Sequence, residues 1–229
     1  MTKPTIELIR IPAGEFLMGS DPAQDEDAQD DEQPQHRVYV PEYSIGKYPV
    51  TNEQYAAFVK ATGYEASGHW GKGEIPSGKE NHPEVYVFWD DAVAYCQWLS
   101  EATGQNLRLP TEAEWEKAAR GTDGRIYPWG NEWDPTRLNS LEGGPEDTMP
   151  VGHYSPGGDS PYGVADMAGN VWEWCTDGNN DRARVLRGGA FNSNASWVRC
   201  ATRSGDIRLI WYRYYGLRVV GGGPFPSDL

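Results

Sequence analysis

Three cysteines and four histidines are the side chains best suited to redox, nucleophilic or metal chemistry in this 229-residue chain. Cys96, Cys175 and Cys200 are too few for a disulfide framework. Cys200 stands beside Arg199, and a neighbouring cation lowers a thiol pKa; the competing reading is a small core residue. His36, His69, His82 and His153 are scattered, and no two fall within one helical turn, so spacing gives no facial metal array. Ser/His/Asp hydrolysis would announce itself with a Gly-x-Ser-x-Gly elbow, which is missing. Asp90 and Asp91 are adjacent carboxylates, but they read better as a helix cap and first-turn charge. Residues 21–33 hold seven carboxylates and no base. They lack the Gly and terminal Glu of an EF-hand, so they read as a solvated, mobile loop.

These residues need elements to position them. Thr51 and Gln54 form a capping box, Tyr55, Phe58 and Val59 give an apolar face, and Gly63 is a stop. Asp90 is expected to cap a second helix that ends before Gly104, with Val93, Cys96 and Leu99 inward. Thr111 and Glu114 form another capping box, ahead of Trp115, Ala118 and Ala119, with Gly121 past the end. Residues 16–19, 38–40, 185–186 and 217–220 are the strand candidates. From 121 to 169 there is almost no periodicity, and a loop that long inside a domain needs a functional or metal reason to be ordered.

Composition agrees with a loop-rich fold. The chain has 27 Gly and 17 Pro, well above the usual combined share of about 12%. It also has 10 Trp and 13 Tyr, which anchor loops rather than leave them disordered. Lys and Arg number 20 against 34 Asp and Glu, a formal charge of −14 that opposes binding to a phosphate backbone or an anionic membrane. No apolar run approaches the roughly 18 residues of a membrane span, and the start lacks a signal-peptide stretch. The expectation is a soluble cytoplasmic protein. Residues 187–220 stand apart: they carry six Arg and one Asp but no Lys, Glu, Gln or Met. Either their guanidinia bridge loops to an acidic body, or they form a surface for a partner.

Several motifs are more specific. They are IPAGEFLMG at 11–19, YPVTNEQY at 48–55, His82-Pro83 leading into Trp89, LRLPTEAEWE at 107–116 and YPWGN at 127–131. GNVWEW at 169–174, RGG at 187–189, RCATR at 199–203 and GLRVV at 216–220 follow in order. Together they resemble the formylglycine-generating enzyme (sulfatase-modifying factor) family over nearly the full length. The resemblance implies one α+β domain across 1–229, an irregular C-type-lectin-like fold with about three helices and short antiparallel strands.

That family holds cysteine oxidases, iron enzymes that form sulfur–carbon bonds, and binding proteins without chemistry. Its oxidases use two cysteines five residues apart after the Gly-Gly; the matching positions here are Ser193 and Val198. No copper or iron is therefore expected. The resemblance does imply structural calcium, held by Asp166 and Glu173 carboxylates with Gly169 and Val171 carbonyls. A second calcium would use Asn139, Ser140 and Asp147.

The leading expectation is a non-catalytic ligand-binding domain resembling the variable proteins of diversity-generating retroelements. Its contact surface would hold Phe191, Asn192, Asn194, Ser196, Asp206 and Arg208, continuing through Leu209, Trp211, Tyr212, Arg213, Tyr214 and Tyr215. The partner expected is a protein or peptide, with no nucleic acid and no membrane. The absence of Lys, Glu, Gln and Met fits diversification at adenines of Asn-type codons, with Trp197 and Trp211 as fixed positions. The alternative is a family enzyme with an altered active site.

Overall fold

Thr51 accepts a hydrogen bond from the Gln54 amide, and the Gln54 side chain accepts one in return from the Thr51 N–H at 3.0 Å. This reciprocal cap starts helix α1 (Asn52–Thr62). The computed structural model, which describes residues 4–178 and 183–222, has two further α-helices, α2 (Trp89–Thr103) and α3 (Glu112–Arg120). Thr111 and Glu114 cap α3 in the same way. All three helices end on a glycine at positive φ, Gly63, Gly104 and Gly121. Helix α2 starts two residues earlier than a cap at Asp90 would place it, with Phe88 as the cap residue. Asp91, not Asp90, reaches back to the Phe88 N–H at 3.1 Å, because the third helical position is the one that can.

Among the described residues, short strands make three sheets. The first has order β1 (Leu8–Ile11), β4 (Tyr43–Gly46), β10 (Val220–Gly221), β5 (Leu107–Arg108). The second is a hairpin of β2 (Gly14–Met18) and β3 (His36–Val40). The third has order β8 (Arg203–Ile207), β7 (Ala183–Arg187), β6 (Trp172–Trp174), β9 (Tyr215–Gly216). Pairings are antiparallel except β6 with β9, where Trp172 faces Tyr215 and Glu173 faces Gly216. Residues 217–220, expected as one strand, instead carry the chain from β9 in the third sheet to β10 in the first, with Leu217, Arg218 and Val219 buried on the way.

Between α3 and β6 the regular structure is one three-residue turn of 3₁₀ helix, Pro135–Arg137. Apolar packing holds the fold on either side of the third sheet. Tyr55, Phe58, Tyr95 and Trp174 centre one cluster, and Phe16, Trp115, Cys175 and Cys200 another. Buried ion pairs join them: Arg187 to Glu112 and Glu116, Arg120 to Glu116, and Arg108 to Glu114.

The acidic loop at 21–33 is not wholly solvated. Asp25 and Glu32 are buried and both accept from Arg199 at 2.7 Å. A fully desolvated guanidinium requires such partners, which is why two of the seven carboxylates turn inward.

Candidate functional site

The six arginines of the C-terminal segment divide by role. Arg187, Arg199 and Arg218 are buried and paired with carboxylates, and Arg203 forks onto Glu112 at 2.7 and 2.8 Å. These four bridge the acidic body. Arg208 and Arg213 reach the surface: Arg208 lies 3.7 Å from Asp90, and Arg213 lies over the Phe191 ring at 5.0 Å.

The expected contact residues are likewise sorted by the fold. Asn192, Asn194, Leu209, Trp211, Tyr212 and Arg213 are exposed, and Ser196, Asp206, Arg208 and Tyr214 are half-buried. Phe191 and Tyr215 are corrections, because both are buried. Phe191 is the platform under Arg213, and Tyr215 packs on Trp174 and donates from its hydroxyl to Asp206 at 2.9 Å. They support the surface from below.

Main-chain hydrogen bonds fix the backbone of this segment. The Tyr86 N–H donates to the Tyr212 carbonyl, Trp89 to Arg208, and Trp172 to Tyr214, at 3.1, 3.2 and 2.8 Å. Above them the Tyr212 and Tyr214 rings stack 5.2 Å apart, and Trp211 meets Tyr86 edge to face. Beside Tyr214 opens a cavity of about 410 Å³ whose walls include Trp172, Trp197, Asn192 and Asn194. Three neighbours escaped the sequence reading: Leu141 and Ile207, both exposed, and Tyr86, which sits at φ +59° and carries no signal in the sequence.

Ser193, at the first oxidase-cysteine position, lines that cavity and accepts from the Ala190 N–H; Val198, at the second, is core. All three thiols are buried. Burial pushes Cys96 and Cys175 well up and Cys200 up to about 12, so Arg199, committed to Asp25 and Glu32, does not activate Cys200. Cys200 is a core residue.

The two calcium loops differ in what they offer a cation. Asp166, at φ +56°, accepts from the Gly152 N–H at 2.7 Å, and burial pushes its carboxyl up to about 6. Glu173 takes Arg218 on both oxygens and Trp115 Nε1 at 2.6 Å, and the Gly169 carbonyl accepts from Val171. In this arrangement Glu173 has no free oxygen, and an ion would compete with a buried guanidinium. The loop at 139–149 is more open to one. Among the described residues Asn139 Oδ1 and Ser140 Oγ are buried without hydrogen-bond partners, and Asp147 bridges to Lys79 at 2.9 Å. Gly144 closes on Asn139 so tightly that a Cβ would come within 1.9 Å of Oδ1. These oxygen donors suit a hard cation such as calcium.

Comparison with known proteins places this geometry. The model of the sulfatase-modifying factor enzyme 1-like domain matches residues 1–222. The formylglycine-generating enzyme of Streptomyces coelicolor is 34% identical, over 86% of this chain and 83% of its own. The inactive C-alpha-formylglycine-generating enzyme 2 of Bos taurus is 32% identical, over 89% and 80%. Among solved structures, PvdO from Pseudomonas aeruginosa superposes with a TM-score of 0.82 at 27% identity, covering 96% of this chain and 99% of that one. Treponema denticola variable protein 1 shares the fold, with a TM-score of 0.78 at 23% identity over 96% and 97%. Motifs, irregular α+β fold and relatives agree: the chain belongs to the sulfatase-modifying factor enzyme 1-like family.

Proposed function

We propose that this chain is a non-catalytic binding member of its family, of the kind used as variable proteins by diversity-generating retroelements, which contacts a protein or peptide through 191–215. The observation that carries this reading is where apolar surface is left exposed. Of seven exposed large hydrophobic side chains among the described residues, Trp197, Ile207, Leu209, Trp211 and Tyr212 lie in this segment, and Leu141 lines the same cavity. Their exposures run from 42% to 63%. A concentration of exposed apolar side chains marks an interaction site, and Trp, Tyr and Arg dominate binding hot spots. The missing oxidase cysteines and the buried state of the remaining thiols support a role without oxidation.

Gene context tests it. A nearby reverse transcriptase gene and an imperfect repeat of this gene's 3′ end are expected, with variation among isolates at Asn192, Asn194, Tyr212 and Tyr214. A sulfatase gene next door and no such repeat would favour the enzyme alternative.

Calcium is part of the same proposal, as a structural ion of the 139–149 loop. Asn139 Oδ1, the Ser140 oxygens and Asp147 would hold it, and it would satisfy a buried acceptor that otherwise costs about 1–3 kcal/mol.

A further inference from the structure

Arg213 is handled unlike the other arginines of its segment. Arg187, Arg199, Arg203 and Arg218 each meet a carboxylate closely, and Arg208 has Asp90 at 3.7 Å. Among the described residues Arg213 meets none, although the chain carries 34 acids. It rests on the face of Phe191, which is fully buried and so cannot move away. A cation over a ring face spends no hydrogen bond there, and among the described residues the Arg213 N–H groups donate none, so its fork is free. An arginine fork is the side-chain group best shaped for a carboxylate, which it binds through two parallel hydrogen bonds.

Arg213 is flanked in the chain by the Tyr212 and Tyr214 rings, and Asp206 beside them accepts from the Tyr215 hydroxyl. Tyr212 and Tyr214 stack in parallel, and the cavity beside them has Trp172, Trp197, Asn192 and Asn194 in its walls. A basic segment placed here would meet Arg213 and Arg208, a like-charge juxtaposition that costs affinity. A strongly anionic partner would be repelled by a body of net charge −14. The complementarity is therefore local: one or two carboxylates beside an apolar anchor.

We propose that the surface takes a peptide segment in which an Asp or Glu neighbours an aromatic or aliphatic side chain, the carboxylate on Arg213 and the apolar group in the cavity. This rests on the reading of 191–215 as the contact surface. The probe is a displayed library of random twelve-residue peptides, selected against the full chain at moderate salt. Enriched peptides are then measured against wild type, Arg213→Ala and Tyr212→Ala, with melting curves to confirm folding. The expected enrichment is Asp or Glu next to an apolar residue, with Arg213→Ala weakening binding at least tenfold. Replacing the peptide carboxylate by its amide should weaken wild type but leave Arg213→Ala unchanged. Enriched peptides that are basic or uncharged, or that lose nothing with Arg213→Ala while still needing Tyr212, would overturn the acidic-segment proposal and leave the contact surface standing. Selected peptides indifferent to both Arg213→Ala and Tyr212→Ala, or no enrichment at all, would overturn both.

Discussion

Arg218 holds Glu173 by two prongs, Nε at 2.9 Å from one oxygen and the terminal nitrogen at 2.8 Å from the other, and both residues are fully buried. The same guanidinium donates to the Gly46 and Ala165 carbonyls, so it fastens the crossing between two sheets to strand and loop alike. Removing one partner strands a charge in a dry site. Arg218→Met is expected to cost about 3–5 kcal/mol in urea unfolding. The double variant Arg218→Met/Glu173→Gln should lose much less than the two single changes added together. Additive losses would mean that the pair is not coupled.

The contact segment should tolerate change where the frame does not. Asn194→Ala and Tyr212→Ala, both at exposed sites, are expected to stay within about 0.5 kcal/mol of wild type. Trp174→Ala empties a fully buried site and should cost about 3–5 kcal/mol. Denaturant midpoints compare the three directly.

Glu84 gives stability a pH slope. Its side chain is fully buried, one oxygen has no hydrogen-bond partner among the described residues, and desolvation raises the carboxyl from 4.5 to about 8 despite the hydrogen bond from Ser67. The fold thus favours the neutral form. Its contribution is complete below pH 4.5 and is lost as pH rises to about 8, beyond which both folded and unfolded chains are ionised. Glu84→Gln keeps the shape without the charge, so it should raise the melting temperature at pH 8 and flatten the slope between these limits. An unchanged slope would place its origin elsewhere.

Calcium is expected to raise the melting temperature by mass action, worth about 2.7 kcal/mol at a hundredfold excess over Kd. Asn139→Ala should abolish that response. Asp166→Asn should leave it in place, because Arg218 already occupies Glu173. Melting curves in calcium and in chelator decide the matter.

The thiols should be silent in the native state. A disulfide-exchange reagent is expected to label none of Cys96, Cys175 and Cys200 until denaturant is added, since all three are buried. Rapid native labelling of Cys200 would show an accessible thiolate and reopen the enzyme reading.

Local signals in the chain translated well. The capping boxes at Thr51 and Thr111 and the three terminal glycines needed only neighbours a turn away. The structure explains the glycines of the RGG motif: a Cβ on Gly188 would meet Trp115 at 2.9 Å, and one on Gly189 the Trp197 carbonyl at 2.6 Å. Partners far apart in sequence were illegible. Nothing near Arg199 says that Asp25 and Glu32, at least 167 residues away, will turn inward to meet it. Which aromatic rings face out was equally hidden, because a segment with little periodicity gives no phase. Tyr212 and Tyr215 are alike in sequence and opposite in exposure.

The bonds that hold Tyr212, Arg208 and Tyr214 to their neighbours run from main chain to main chain. A peptide N–H is the same whichever side chain its residue bears, so this scaffolding does not read the letters it supports. Shape and message are thereby stored in separate parts of the molecule. Substitutions at the exposed positions of this loop are therefore expected to leave its backbone in place.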